Sequence, residues 1–192
     1  MTGSSSRGYF GIGAEGLSKA MNAGSLFRTA HAFGASFVFT VGAVFDRNEL
    51  ERADTARSAN QLPYYEFPSL EAMTLPRECA LVGIELSDEA VELPSFRHPR
   101  KAAYVLGPER GSLSAEMTAC CDFVIKIPTA FCVNVALAGG IVMYDRLITL
   151  GRFPLRPVLP GQKPSPLPAH TQGAPVLRRA RKTSPSRKKT KR

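Results

Sequence analysis

The chain has 192 residues, 44% of them apolar, enough for a single domain with a core, so global disorder is excluded. The formal net charge of +9 is unevenly spread: residues 1–150 hold 13 Lys and Arg and all 16 Asp and Glu, whereas residues 151–192 hold 12 Lys and Arg, no acid and 8 of the 15 prolines. The four cysteines, Cys79, Cys120, Cys121 and Cys132, form no C-x-x-C pair, which argues against a zinc site or a disulfide scaffold, and the longest apolar stretch, Ala32 to Phe45, falls short of the roughly 20 residues a bilayer needs.

Tyr9 to Ile12 reads as a short strand. Asn22 is placed to cap a helix, and Gly34 to end it as a left-handed residue. Ala23, Leu26, Phe27, Ala30 and Phe33 form an apolar stripe at helical spacing. Phe37 to Val41 reads as a strand, residues 46–62 as a short helix with a loop, and Tyr64 to Phe67 as a weak strand. Ala80 to Ile84 is a clear strand, followed by an acidic loop through Glu92. Ala103 to Leu106 is a buried strand closed by Gly107-Pro108. Ser114 caps a helix through Cys121, Phe123 to Ile127 is the last strand, and Asn134 opens a helix to about Leu150. Short apolar strands alternating with helices predict an α/β domain with a mainly parallel sheet covered on both faces. Ligands of such sheets bind beyond the carboxyl ends of the strands, here in the loops after Ile12, Ile84, Leu106 and Ile127.

Three segments carry the candidate chemistry. In Asn22 to Gly34, Arg28 lies about 160° from the apolar stripe at 100° per residue. Gly24 and His31 share that outer face, and spacing alone leaves Arg28 a solvated surface arginine. In Leu106 to Ser114, a strand ends in Gly-Pro before a capped helix, a turn that offers backbone N–H groups to a ligand. It lacks the ending of a phosphate-cradling P-loop, and no G-x-G-x-x-G follows a strand. Glu109 reads equally as a turn carboxylate. In Ile127 to Tyr144, the helix is apolar almost all round and is expected to be buried. Gly139-Gly140 implies that another backbone packs close, within the domain or across a dimer. Cys132 has no His nearby in sequence, and His98 and His170 carry no signal.

In this order the three segments resemble the SpoU/TrmH branch of the SPOUT RNA methyltransferases. Asn22, Gly24, Arg28, Ala30 and Phe33-Gly34 match the first motif of that family. Leu106-Gly107-Pro108-Glu109, Gly111 and Leu113-Ser114, continuing to Asp122 and Ile127-Pro128, match the second. Asn134-Val135-Ala136, Ala138, Ile141 and Tyr144-Asp145 match the third. The resemblance covers roughly residues 8–150. It implies an α/β knot with a deep C-terminal trefoil, a homodimer with the active site near its interface, and S-adenosyl-L-methionine as methyl donor to a ribose 2′-OH of tRNA or rRNA. No metal is required.

Carried over residue by residue, the resemblance implies that Arg28 prepares the ribose hydroxyl and that Asn22 positions Arg28 or the ribose. Glu109 and Asn134 complete the catalytic set by bracing the knot loops and touching the ligand, and Gly83, Ile84, Gly107, Ile127, Cys132 and Asn134 hold the cofactor. Two departures fall in the last loop: Cys132-Val133-Asn134 stands where Ser-Leu-Asn is common, and the stretch before Asn134 is shorter than usual. The expected organisation is a methyltransferase domain over 1–152 and a basic, Pro-rich disordered tail over 153–192. Such a tail suits an auxiliary, sequence-blind RNA contact, or a merely solubilising extension. No leader is read after Met1, and a cytoplasmic protein without membrane contact is expected. The alternatives are a catalytically inactive knotted RNA-binding protein and an α/β small-molecule binder with an incidental tail.

Overall fold

The structure is a computed structural model that describes residues 8–53, 61–151 and 153–167. The chain divides into two units, residues 1–152 and 153–192. In the second unit residues 153–167 form neither helix nor strand. The rest of the basic tail expected from the sequence lies outside the described residues.

The elements of the first unit alternate as the sequence predicts, except that a two-residue strand, Val91–Glu92, ends the stretch read as an acidic loop. They are β1 (Tyr9–Glu15), α1 (Ala20–Ala32), β2 (Phe37–Val41), α2 (Arg47–Ala53), β3 (Tyr64–Phe67) and β4 (Ala80–Ile84). There follow β5 (Val91–Glu92), a 3-10 turn (Leu93–Ser95), β6 (Lys101–Leu106), α3 (Ala115–Cys120), β7 (Phe123–Lys126) and α4 (Val135–Leu150). The seven described strands form one sheet, ordered β3-β2-β1-β6-β4-β7-β5, with every pairing parallel. All carboxyl ends therefore lie along one edge, where the connecting loops can meet.

Side chains alternate across the sheet and fill two cores. On the face covered by α1 and α4, Ala102, Tyr104 and Leu106 of β6 pack with Ile12, Leu26, Phe27, Val142 and Met143. On the other, Ala103 and Val105 pack with Phe37, Phe39, Leu113 and Met117. Gly139 allows the close fit of α1 on α4: a Cβ there would lie 2.4 Å from the Leu26 Cδ1 atom. The close approach expected at Gly139-Gly140 is thus made by a neighbouring side chain within the domain.

Three local expectations are corrected. Asn22 does not cap α1, which starts at Ala20 with Lys19 in the cap position; the Asn22 side chain is engaged with other loops instead. Gly24 is buried with the stripe rather than sharing the outer face of Arg28. α4 is not buried all round: Leu137 is 56% and Tyr144 51% exposed, and Ile148 is exposed beside them. By contrast, Ser114 caps α3 and Asn134 caps α4 through their side chains, and Gly34 is left-handed at φ 72°.

His98, silent in the sequence, belongs to a buried polar network. Its Nδ1 lies 2.6 Å from Tyr104 Oη and its Nε2 2.9 Å from Asp145 Oδ2. Buried Arg146 donates to Tyr104 Oη and to the Pro99 and Arg100 carbonyls. Burial lowers the His98 pKa against the pull of Asp145. Burial pushes Tyr104 up to about 12 against the pull of Arg146. The network ties α4 to the start of β6. No described helix is long and apolar enough to cross a membrane.

Candidate active site

The loops beyond the strand ends border an open cavity of about 1020 Å³, just above the roughly 300–1,000 Å³ typical of ligand sites. Ser18 and Lys19 reach it after β1, Glu85 and Leu86 after β4, and Gly107 to Glu109 after β6. Ile127, Thr129 and Cys132 to Asn134 line it after β7, and Glu49 and Arg52 of α2 close one side.

Glu109 organises the entry to α1. Its Oε1 accepts from the Lys19 amide and Asn22 Nδ2, each at 2.9 Å. Its Oε2 accepts from the Ser18 amide and hydroxyl, each at 3.0 Å. A carboxylate from another loop thus takes the amides of the cap residue Lys19 and of Ser18 just before it. Partial burial pushes its pKa up, but the bonds from Ser18, Asn22 and Lys19 outweigh this and bring it to about 2. Glu109 is therefore ionised, and four donors occupy its acceptor positions.

Asn134 joins the same network. Its Oδ1 accepts from the Ala136 and Leu137 amides, and its Nδ2 donates to Asn22 Oδ1 at 3.1 Å. Two further carboxylates hold the β6–α3 loop. Glu15 accepts from the Ser114 amide at 2.8 Å and its hydroxyl at 2.6 Å, and Glu85 accepts from the Leu113 amide at 2.8 Å. Gly107 must lack a side chain because a Cβ would lie 2.9 Å from the Leu113 nitrogen.

Of the residues expected from the sequence, Asn22, Ile84, Gly107, Glu109, Ile127, Cys132 and Asn134 all line this cavity. Gly83 and Arg28 do not. A Cβ on Gly83 would meet Cys121 Sγ at 3.0 Å and Leu113 at 3.1 Å, so this glycine makes room for the loop packing behind the wall. Arg28 is exposed on α1 and has no hydrogen-bond or ion-pair partner among the described residues. Sequence reasoning missed Ser18, Lys19, Glu85, Glu49 and Arg52. The strand-end rule singled out the loop that holds Glu85, but α2 gave no signal. Among the described residues no group of His, Cys, Asp and Glu is placed to hold a metal ion.

The residues suit a nucleoside-bearing cofactor. Ile84, Leu86, Leu106, Ile127 and Val133 give an apolar wall, and the Gly107 turn keeps main chain accessible beside it.

The profile of the SpoU rRNA Methylase family matches residues 10–144. The tRNA (guanosine(18)-2′-O)-methyltransferase TARBP1 of Mus musculus is 26% identical over 138 residues, which cover 67% of this chain and 9% of that protein. The AdoMet-bound rRNA methyltransferase of Sinorhizobium meliloti superposes with a TM-score of 0.67 at 23% identity, covering 74% of this chain and 57% of that one. The TrmH/SpoU tRNA modifying enzyme of A. aeolicus gives 0.61 at 20% identity, covering 73% and 74%. This chain therefore spans a small part of its curated relative, and the solved structures share its fold.

Proposed function

This chain belongs to the SpoU rRNA methylase family, and on that premise we propose that it is an RNA ribose 2′-O-methyltransferase using S-adenosyl-L-methionine. The observation that carries the reading is the convergence of Asn22, Gly107, Glu109, Ile127, Cys132 and Asn134, from three distant segments, on one cavity. The cofactor, when bound, supplies a methyl group activated on a sulfonium. Ile84, Gly107, Ile127 and Cys132 would hold it, with Gly83 supporting the wall from behind. The trefoil knot belongs to this proposal; the insertion of β7 between β4 and β5 is compatible with it.

The remaining work of the protein is to align the acceptor oxygen and stabilise it as its proton passes to a phosphate oxygen of the RNA or to solvent. Glu109, Asn22 and Asn134 brace the loops that frame the acceptor. Arg28 supplies a guanidinium, which stabilises developing negative charge on the sugar oxygen. Because Arg28 does not line its own cavity, we assign it to a homodimer interface. Leu137, Tyr144 and Ile148 form an exposed apolar stripe along α4 at spacings of seven and four residues, and Met21 of α1 is 73% exposed. A second copy seated on this surface would cover it and carry Arg28 towards the neighbouring cavity.

The basic segment after residue 152 would add phosphate contacts without reading sequence. The substrate is tRNA or rRNA, and the reading places the protein in the cytoplasm. No observation among the described residues favours a knotted RNA-binding protein that has lost methyl transfer. The test is transfer of labelled methyl from the cofactor to total tRNA and rRNA, followed by mapping of ribose methylation. A 2′-O-methyl mark that requires the protein supports the reading; absence of both transfer and cofactor binding overturns it.

A further inference from the structure

The cavity is bordered by three carboxylates that stand in different states. Glu49 is paired with Asp46, just before α2: its amide donates to Asp46 Oδ1 at 2.8 Å, and its Oε2 accepts from the Asp46 amide at 3.4 Å. Glu109 is saturated by its four donors. Glu85 is not saturated. Its Oε1 accepts from the Leu86 amide at 3.0 Å, and its Oε2 from the Leu113 amide at 2.8 Å. Those are its only donors among the described residues.

An ionised carboxylate offers about four lone-pair directions. Each oxygen of Glu85 is therefore fixed by one main-chain amide and retains one acceptor direction. The group follows Ile84 at the end of β4 and shares the cavity wall with Leu86, Gly107 and Ile127. It is a preorganised pair of adjacent acceptors in a site otherwise rich in apolar groups and main chain. Two neighbouring hydroxyls are the complementary ligand group.

We propose that Glu85 is a ligand-binding residue that accepts hydrogen bonds from the vicinal hydroxyls of the methyl donor's ribose. This rests on the cofactor reading above and deepens it. An internal RNA nucleotide does not present this diol, because its 3′ oxygen is esterified; the nucleoside of the donor does. Glu85 at the same time ties the β6–α3 loop to the end of β4 through Leu113. Glu15 independently holds the adjacent Ser114, so removing the Glu85 carboxylate leaves that loop anchored.

The test is calorimetry on the full chain with S-adenosylhomocysteine and its 2′-deoxy analogue. The wild type is expected to bind the deoxy compound about tenfold more weakly, the size expected for losing a hydrogen bond to a charged acceptor. Glu85→Ala, which loses both bonds, is expected to bind the parent compound about a hundredfold more weakly and no longer to distinguish the two, whereas Glu85→Gln, which keeps one acceptor, retains part of the discrimination. A Glu85→Ala variant that weakens both compounds equally while preserving the wild-type ratio would overturn the contact, as would a wild type that does not discriminate. A wild type that binds neither compound overturns the cofactor reading itself, a separable result. RNA blocked at its 3′ terminus is expected to bind the wild type as tightly as unblocked RNA; a loss on blocking would assign the diol contact to RNA and overturn the proposal.

Discussion

Asn134 Nδ2 donates to Asn22 Oδ1 at 3.1 Å, joining side chains 112 residues apart, while Asn22 Nδ2 donates onward to Glu109. Asn22 is the central link because its amide both donates and accepts. Asn22→Asp keeps the acceptor for Asn134 but sets a carboxylate against Glu109. It is expected to lower kcat by about a hundredfold, the size of effect that a small misplacement of reacting groups produces. It should impair the enzyme more than Asn22→Ala, which removes both bonds without adding a charge. Single-turnover methylation of the two variants decides the order.

Glu109 makes a pH-dependent contribution. Its folded pKa of about 2 lies below the ordinary value of 4.5, so folding favours the ionised form. That stabilisation is fully present above about pH 4.5 and is lost as pH falls towards 2. Glu109→Ala is expected to lower the urea midpoint at pH 7, with a difference from wild type that shrinks steadily between pH 4.5 and 2. A constant difference across that window would show that the charge is immaterial.

Arg28 is expected to serve transfer rather than folding or cofactor binding. Arg28→Ala should reduce methyl transfer by about 10²–10³-fold, as for removal of one preorganised donor, with cofactor affinity unchanged in calorimetry. If the residue acts across a dimer, mixing Arg28→Ala with a chain blocked in its cavity by Cys132→Trp should restore part of the activity. Activity of the mixture no higher than that of the two variants apart would place Arg28 in its own subunit.

The adjacent helical glycines should respond in opposite directions to alanine. At Gly139 the new methyl would meet buried Leu26 at 2.4 Å, and overpacking of this kind costs about 1–3 kcal/mol. At Gly140 the nearest atom is Thr29 Cγ2 at 3.5 Å, an ordinary contact, and alanine favours a helix by about 1 kcal/mol. Chemical denaturation of Gly139→Ala and Gly140→Ala checks the contrast.

Removal of residues 153–192 takes away 11 cationic side chains and no acid. RNA affinity is expected to fall and its dependence on salt to become shallower, since fewer counterions are released. Cofactor affinity should stay the same. An unchanged salt slope would assign RNA binding to the methyltransferase domain alone.

The sequence by itself determined the alternation of strands and helices, the Ser114 and Asn134 caps, the left-handed turn at Gly34 and the loops that hold the site. These features depend on periodicity, local hydrogen bonding and glycine geometry, which neighbouring residues specify. Only the tertiary structure decided that Asn22 serves Glu109 rather than capping its helix, and that Glu109 has no acceptor position left while Glu85 does. It also decided that α4 keeps one apolar face exposed, that Arg28 stands outside the cavity of its own chain, and that His98 is buried against Asp145. Each of these depends on which residues from distant segments meet, and so on how parallel strands order themselves in the sheet, information that no local spacing carries.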